Sequence, residues 1–492
     1  MLIFCTASLI FFLSVKLILF NSYEYTSDLF SLLQASRSYL SRMPIFWMTR
    51  WGEDSWHHQH FLLLLFGPIT YLFGAIPIFI FDAGLIFCAA FALLRRSYAT
   101  KNGSWPWSIN LIIALLLGPI GFYLFDDILY GWHVELLYVP LNILFAVDLV
   151  EKRKRAWLWA LLMVLNREDG AVLCCSTQLL CFLSTSNDVK GQIRNIFKIL
   201  GFWIAVFVCG MLILRSHTGP GRDMLTTSLK AIPEILHSPA LRNDALSMFK
   251  SLALIIAAGF ISLAPACRWR LLVWGFVCVT PLVVLTFLAS LAYLPDLKTH
   301  NMLWAPRLGI LWSHLICVCW RMVDSSFADK QMKGLVHGWH LWGYRLSIPL
   351  LISSLLFQSV WLELSRDYPL GSRIVVLFDS KKLTSHKFDH AEQALLTCLD
   401  NSLHKPGSII TENMLFAAFD RHNYSAPEGE SNLAVPPQLV VCDTRQRLPF
   451  SGTCLPLISE HQTKGMIVKE VEGIIVGISP DSWNQLRSCF GL

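Results

Sequence analysis

From Phe61 to Phe81 the chain carries no charged residue, and comparable apolar runs recur along most of its length. They are Met1–Phe20, Ala83–Leu94, Trp107–Phe125, Leu136–Val150, Ala156–Leu165, Ala171–Ser184, Ile199–Leu214, Ser251–Ala266, Leu271–Leu294, Leu308–Trp320 and Leu346–Leu362. A bilayer core about 30 Å thick needs roughly 20 apolar residues as helix, so a chain built this way is expected to fold within lipid. Composition points the same way. Apolar residues make up 54% and charged residues 15%, against about 25% charged in a typical soluble domain. Mean hydropathy is +0.51. These values exclude a disordered chain and argue strongly against a soluble enzyme. The expected fold class is a polytopic α-helical membrane protein with about 10–12 membrane segments and a small C-terminal α/β domain. The membrane module is taken as residues 1–363 and the second domain as 364–492.

Met1–Phe20 has one charge, Lys16, and no small-residue cleavage site. It therefore reads as an anchor rather than a signal peptide. Basic clusters at Arg95/Arg96/Lys101, Lys152–Arg155, Lys190/Arg194/Lys198, Arg268/Arg270 and Arg321/Lys330/Lys333/Arg345 are expected to face the cytoplasm. That places the N-terminus in the cytoplasm, provided that Phe61–Leu94 makes one net crossing, for example as a half-helix plus a span. The loop 21–60 and the C-terminal domain then lie outside. The net charge of +6 belongs to cytoplasmic loops, and nucleic acid is not an expected partner. The basic stretch 215–250 fits this orientation poorly.

Three polar clusters fall on the outer side. The first loop holds Glu24, Asp28, Glu53, Asp54, His57, His58 and His60. Ser27–Leu40 has an amphipathic helical pattern, with Leu29, Leu32, Leu33, Ala35 and Leu40 apolar and Ser27 as a cap. Asp28 in its first turn suits helix capping as well as a general base at the membrane surface. His57, His58 and His60 with Glu53 and Asp54 suit a divalent metal such as zinc or manganese by ligand chemistry, though not by spacing; an interfacial aromatic and polar belt with Trp47, Trp51 and Trp56 is the simpler account. The second cluster is Asp126-Asp127 with Tyr130, His133 and Glu135. The third is Asn166-Arg167-Glu168-Asp169-Gly170, between two short apolar runs. There, one helix carries three charges through the bilayer, or two short helices meet at a charged elbow, or a surface loop joins tilted helices. Charge at depth usually lines a polar cavity.

Four of these features occur in a recognisable order: Asp28; His60-Phe61 through Phe66 with Pro68 and Tyr71; Tyr130-Gly-Trp-His133-Val-Glu135 with Pro140; and Arg167-Glu168-Asp169. Over residues 20 to 185 this resembles the uncharacterised bacterial membrane-protein family known as "domain of unknown function" two thousand and seventy-nine. That family usually has His-Pro-Glu and Lys-Glu-Asp where this chain has Val134 and Arg167. It is in turn similar to the GT-C glycosyltransferases. The resemblance implies a GT-C-like enzyme of the bacterial inner membrane that transfers a sugar from a polyprenyl-phosphate donor to an extracytoplasmic acceptor, with inversion. It implies Asp28 as base, with Glu24 and Asp54 as alternatives. Arg167 is implied for the donor phosphate, and His60, His133, Glu135, Glu168 and Asp169 for the surrounding substrate site. A transporter or lipid flippase, which also carries charge near broken helices, and a non-catalytic scaffold are the other readings.

Beyond residue 364 soluble charge density returns. Strands are expected at Ile374–Phe378, Ser408–Thr411, Gln438–Cys442 and Gly473–Ile478, with a very short apolar run at Met466–Val468. Helices are expected at His390–Asn401 and Glu412–Phe419. No nucleotide or nucleophile-elbow motif occurs. Ten of the fourteen cysteines lie in the apolar part and read as small buried hydrophobes. Cys398, Cys442, Cys454 and Cys489 are free to form disulfides in an oxidising compartment, in any of three pairings.

Overall fold

The computed structural model describes residues 2–21, 23, 25, 27–41, 43–48, 53–54, 58, 60–99, 112, 132–185, 193–218, 224–243, 245–246, 249, 269–291, 314, 317–318, 320–321, 324, 388–404, 407–425, 427, 433, 435–445 and 454–491. The expected runs 251–266 and 346–362, the expected strand 374–378, and Glu24, His57 and Asp126 to Tyr130 lie outside the described residues. The described chain is mostly helical with a small sheet.

Helix α1 (Leu2–Asn21) packs along α4 (Ile76–Ala99). Between them in sequence come α2 (Ser27–Arg37) and α3 (Phe61–Phe73). The run from Phe61 onward thus breaks into a short helix and a long one, as a half-helix plus a span would. The break is at Gly74, whose φ of +66° suits a residue without Cβ. Helices α5 (Tyr138–Val150), α6 (Ala156–Asn166) and α7 (Gly170–Thr185) form a tight antiparallel trio. Helix α8 (Ile193–Thr218) packs on α7. Helix α10 (Trp269–Leu291) packs on α7 and on α9 (Met224–His237). Among the described residues two helices are long and apolar enough to cross a membrane, Ile76–Tyr98 and Ile193–His217.

Helix α2 is shorter than its sequence pattern, and Ser38–Ser41 continues as a 3-10 turn that leaves Leu40 exposed. Its polar side is not solvated either. Ser31, Gln34, Ser36 and Arg37 are buried with Leu29, Phe30 and Leu33, because α2 lies between α3 and the C-terminal unit. Ser36 Oγ meets Thr70 Oγ1 at 2.9 Å, Tyr39 donates to the Leu64 carbonyl at 3.1 Å, and the Tyr25 ring meets that of Phe79. These contacts run α2 antiparallel to α3. On the other side the Gln34 amide donates to the Tyr424 carbonyl, Arg37 donates to the Asp420 and His422 carbonyls, and Phe30 packs on Phe416 and Tyr424. The first loop also forms a minimal hairpin, β1 (Trp47–Met48) with β2 (Glu53–Asp54), in which Trp47 faces Asp54 across the ladder.

The C-terminal unit is a five-stranded mixed sheet in the order β4-β3-β5-β7-β6, from β3 (Ser408–Thr411), β4 (Asn423–Ser425), β5 (Leu439–Asp443), β6 (Ile467–Val471) and β7 (Ile474–Ile478). The first three are parallel and the last two antiparallel. Helix α11 (His390–Ser402) starts in a capping box of Asp389 with Glu392, the arrangement that satisfies two orphan amides at once. Helices α12 (Cys454–Thr463) and α13 (Pro480–Leu486) and strand β4 have no counterpart in the sequence reading, and the expected helix Glu412–Phe419 is a 3-10 turn over Asn413–Phe419. Strand β4 contains the Asn423-Tyr424-Ser425 triplet with Ser425 buried. The disulfides pair Cys398 with Cys489 and Cys442 with Cys454.

Candidate functional site

Gly170 decides how α6 meets α7. A Cβ there would stand 2.1 Å from the Met163 carbonyl oxygen, so only glycine lets the second helix start against the last turn of the first. The three residues between them, Arg167 to Asp169, form a buried elbow rather than a surface loop. Arg167 is 3% exposed and Glu135, from the turn Val134–Leu137, is 4% exposed.

Buried charge is stable only when paired and hydrogen-bonded, and the partners come from three separate stretches. The Arg167 guanidinium binds Glu135 through Nη1, stands 3.2 Å from Asp169 Oδ2 through Nε, and lies 3.7 Å from Glu168. Tyr138, at the start of α5, donates to Asp169 Oδ1 at 2.6 Å. His58 of the first loop donates from Nδ1 to Glu168 Oε1 at 2.7 Å. His60 donates to the Asn166 carbonyl at 3.2 Å, and the Asn166 amide donates to the Val134 carbonyl at 2.7 Å. His133 lies close enough to bias Glu135 electrostatically.

The protonation pattern follows from burial and from one shared cation. Burial holds His60 down at about 4, with His58 and Arg167 adding to it, so its ring is neutral at physiological pH. Burial works to raise Glu135, but Arg167, His133 and His60 prevail and hold it at about 2. Glu168 is likewise kept below the ordinary carboxylate range, against burial, by His58 and Arg167. Asp169 goes the other way: burial raises it, and the charge on Glu168 opposes the help it gets from Arg167. The cluster therefore holds two firm anions, one guanidinium, and a carboxyl biased toward taking a proton.

The sequence candidates divide accordingly. His58, His60, His133, Glu135, Arg167, Glu168 and Asp169 are brought together. Asp28 is not. It lies in the first turn of α2, and antiparallel packing puts that turn toward the Gly74–Phe79 end of the α3 region, whereas the ion cluster caps the His60 end. Thirteen helical residues separate the two ends by about 20 Å. Asp54, in β2, is four residues before His58, within about 14 Å of it by chain reach. For a metal, His57 lies outside the described residues and His58 is bound to Glu168. No group of three or more His, Cys, Asp or Glu side chains arranged to hold a metal ion occurs among the described residues. Tyr138 was missed in the sequence, because it lies inside the apolar run Leu136–Val150; Asn166 was read as part of the polar cluster 166–170 but given no role of its own.

No family model matches this chain, and no curated protein or solved structure shows significant similarity to it.

Proposed function

We propose that this chain is a polytopic membrane glycosyltransferase of GT-C-like architecture that moves a sugar from a polyprenyl-phosphate donor to a hydroxyl acceptor outside the cytoplasm. The observation that carries the reading is the junction of His58 and His60 from the first loop with Glu135 and the Arg167–Asp169 elbow. These are the segments whose order resembles the GT-C-related family. A membrane setting is supported by α8: only 6% of its most apolar window is buried, and Phe197, Phe202, Ile204 and Leu212 stand exposed. Water tolerates so large an apolar face poorly, and lipid tails do not. Sidedness is supported by the first loop and the C-terminal unit touching each other, and by the two disulfides in that unit.

In this reading a lipid-linked donor stays at the interface, and its phosphate exchanges with Glu135 for the fork of Arg167. A first-loop carboxylate accepts the acceptor hydroxyl proton. The acceptor oxygen bonds to the anomeric carbon as the bond to phosphate breaks, and polyprenyl phosphate leaves. The α2–α3 geometry favours Asp54 over Asp28 for that carboxylate, because only Asp54 is within chain reach of the cluster.

A second reading is favoured by one observation. Three carboxylates face one guanidinium, a surplus of negative charge that suits a proton or cation better than a phosphate, as in a coupled transporter. The deciding assay uses the full chain in nanodiscs with polyprenyl-phosphate hexoses and a polyol acceptor. Asp54→Asn is expected to lower transfer by at least about 100-fold while Asp28→Asn leaves it within about threefold. Full transfer by Asp54→Asn removes the assigned base. Proton-coupled uptake by proteoliposomes, with no sugar released from the lipid, replaces the transferase with the transporter.

A further inference from the structure

We propose that the cavity between the first loop and the C-terminal sheet is a binding site for a neutral, hydroxyl-rich saccharide. The cavity is shallow and open on one side, and its empty space of about 390 Å³ includes the solvent at its mouth. Its wall comes from both units: Gln34, Ser38, Ser41 and Trp47 from the first loop, Ser408 and Asn423 from the parallel edge of the sheet. No Lys, Arg, Asp or Glu lines it among the described residues. A charged ligand would meet no counter-charge from these residues, which burial makes costly.

The wall is chemically two-sided. Trp47 and Met43 give an apolar surface, and the hydroxyls and amides give donors and acceptors at the edges. A pyranose has the matching pattern, with C–H groups on its faces and hydroxyls around its rim. Two of the polar atoms also point to a ligand. Trp47 Nε1 and Ser41 Oγ are both buried, and neither has a hydrogen-bond partner among the described residues. Native interiors seldom leave such groups unmet, and both belong to this one cavity. Strand register adds the link to chemistry: residue 54 is the cross-strand partner of residue 47, and paired positions stand about 5 Å apart. A sugar lying against Trp47 would bring its rim to the hairpin that carries Asp54.

As a saccharide site the cavity stands by itself; as the acceptor site it rests on the transferase reading. The test uses the full chain in nanodiscs with methyl α-mannopyranoside, methyl β-galactopyranoside and maltotriose, and with inorganic phosphate and glucuronate as charged probes, read by saturation-transfer NMR. At least one neutral probe is expected to bind in the millimolar range. Trp47→Leu should weaken it by about tenfold or more, and Ser41→Ala by about threefold. Val435→Trp, placed at the exposed rim, should block binding without touching the interior. This covers the case in which Trp47→Leu does not fold. No binding of any neutral probe at about 50 mM, equal affinity in wild type and the Val435→Trp variant, or tighter binding of a charged probe would each overturn the site. The two readings fail separately. Binding without transfer from any polyprenyl-phosphate hexose removes the enzyme and keeps the site. Transfer with an acceptor KM unmoved by Val435→Trp removes the site and keeps the enzyme.

Discussion

Helices α5, α6 and α7 end in charge at both termini, and the two ends are built on opposite plans. At one end Arg167 faces Glu135, Glu168 and Asp169, all buried. At the other, Arg95 binds Glu151 at 2.6 Å, Arg153 binds Glu151 at 2.7 Å, Arg155 binds Asp148 at 2.9 Å through its second nitrogen, and Arg321 and Arg96 share Asp324. Five guanidiniums there meet three carboxylates, and the side chain of Arg155 is 45% exposed. Positive charge is in excess at this end among the described residues. The acidic end is closed over by the first loop through His58 and His60. Helix α5 is only thirteen residues, about 20 Å, short of a bilayer core, so in a membrane at least one end of the trio must be sheltered by protein. The acidic end is the sheltered one.

The difference can be broken by mutation. Arg167→Met leaves three buried carboxylates without their cation and should cost about 3–5 kcal/mol in thermal or denaturant unfolding. Arg155→Ala, at the exposed end, should cost within about 1 kcal/mol. Equal costs would mean the two ends are energetically alike. Gly170→Ala forces a methyl group into the Met163 carbonyl and should cost about as much as Arg167→Met; a mild effect would show that α6 and α7 are not in close contact.

Acid should strike the sheltered end first. His60 is held at about 4 against 6.5 when free, so the unfolded chain binds the extra proton between those values. Stability is therefore expected to fall as pH drops from about 6.5 to 4. Replacing His60 with Asn should flatten that limb by a contribution on the order of 3 kcal/mol. Glu135, held at about 2 against 4.5, contributes stability that is present above 4.5 and lost as pH falls toward 2. An unfolding curve whose upper acid limb is the same in wild type and the His60→Asn variant would show that the ring is not kept neutral by burial. The smallest effect belongs to Tyr138→Phe, which removes one donor to Asp169 and should cost about 1–2 kcal/mol. No loss there would mean that Asp169 is satisfied by its ion pair alone.

Much of this architecture is legible in residues that act locally. The elbow after Asn166 announces itself as three charges followed by glycine, whereas the break after Phe73 falls inside the uncharged run Phe61–Phe81, and the charge that ends that run, Asp82, lies within α4. The α11 capping box can be read from Asp389 and Glu392, since caps and left-handed turns depend on the residues beside them. Strand β4 was invisible, because Asn423-Tyr424-Ser425 has no alternation to read and is a strand only through pairing with β3. The disulfide partners were equally hidden, since pairing depends on which Cα atoms the fold brings to about 6 Å. Asp28 shows the limit best. Its place in an amphipathic helix could be read, but not the direction in which that helix crosses α3.

The sequence by itself determined that long stretches of this chain are apolar, and that three charges and a glycine interrupt them after Asn166. Those properties follow from local composition. Only the tertiary structure decided that His58, Glu135 and Arg167 share one buried ion cluster, that α2 is covered on both sides, and that Asp28 is carried away from that cluster. Such pairings depend on the relative placement of segments many residues apart, and that is fixed by how whole helix and sheet faces pack together.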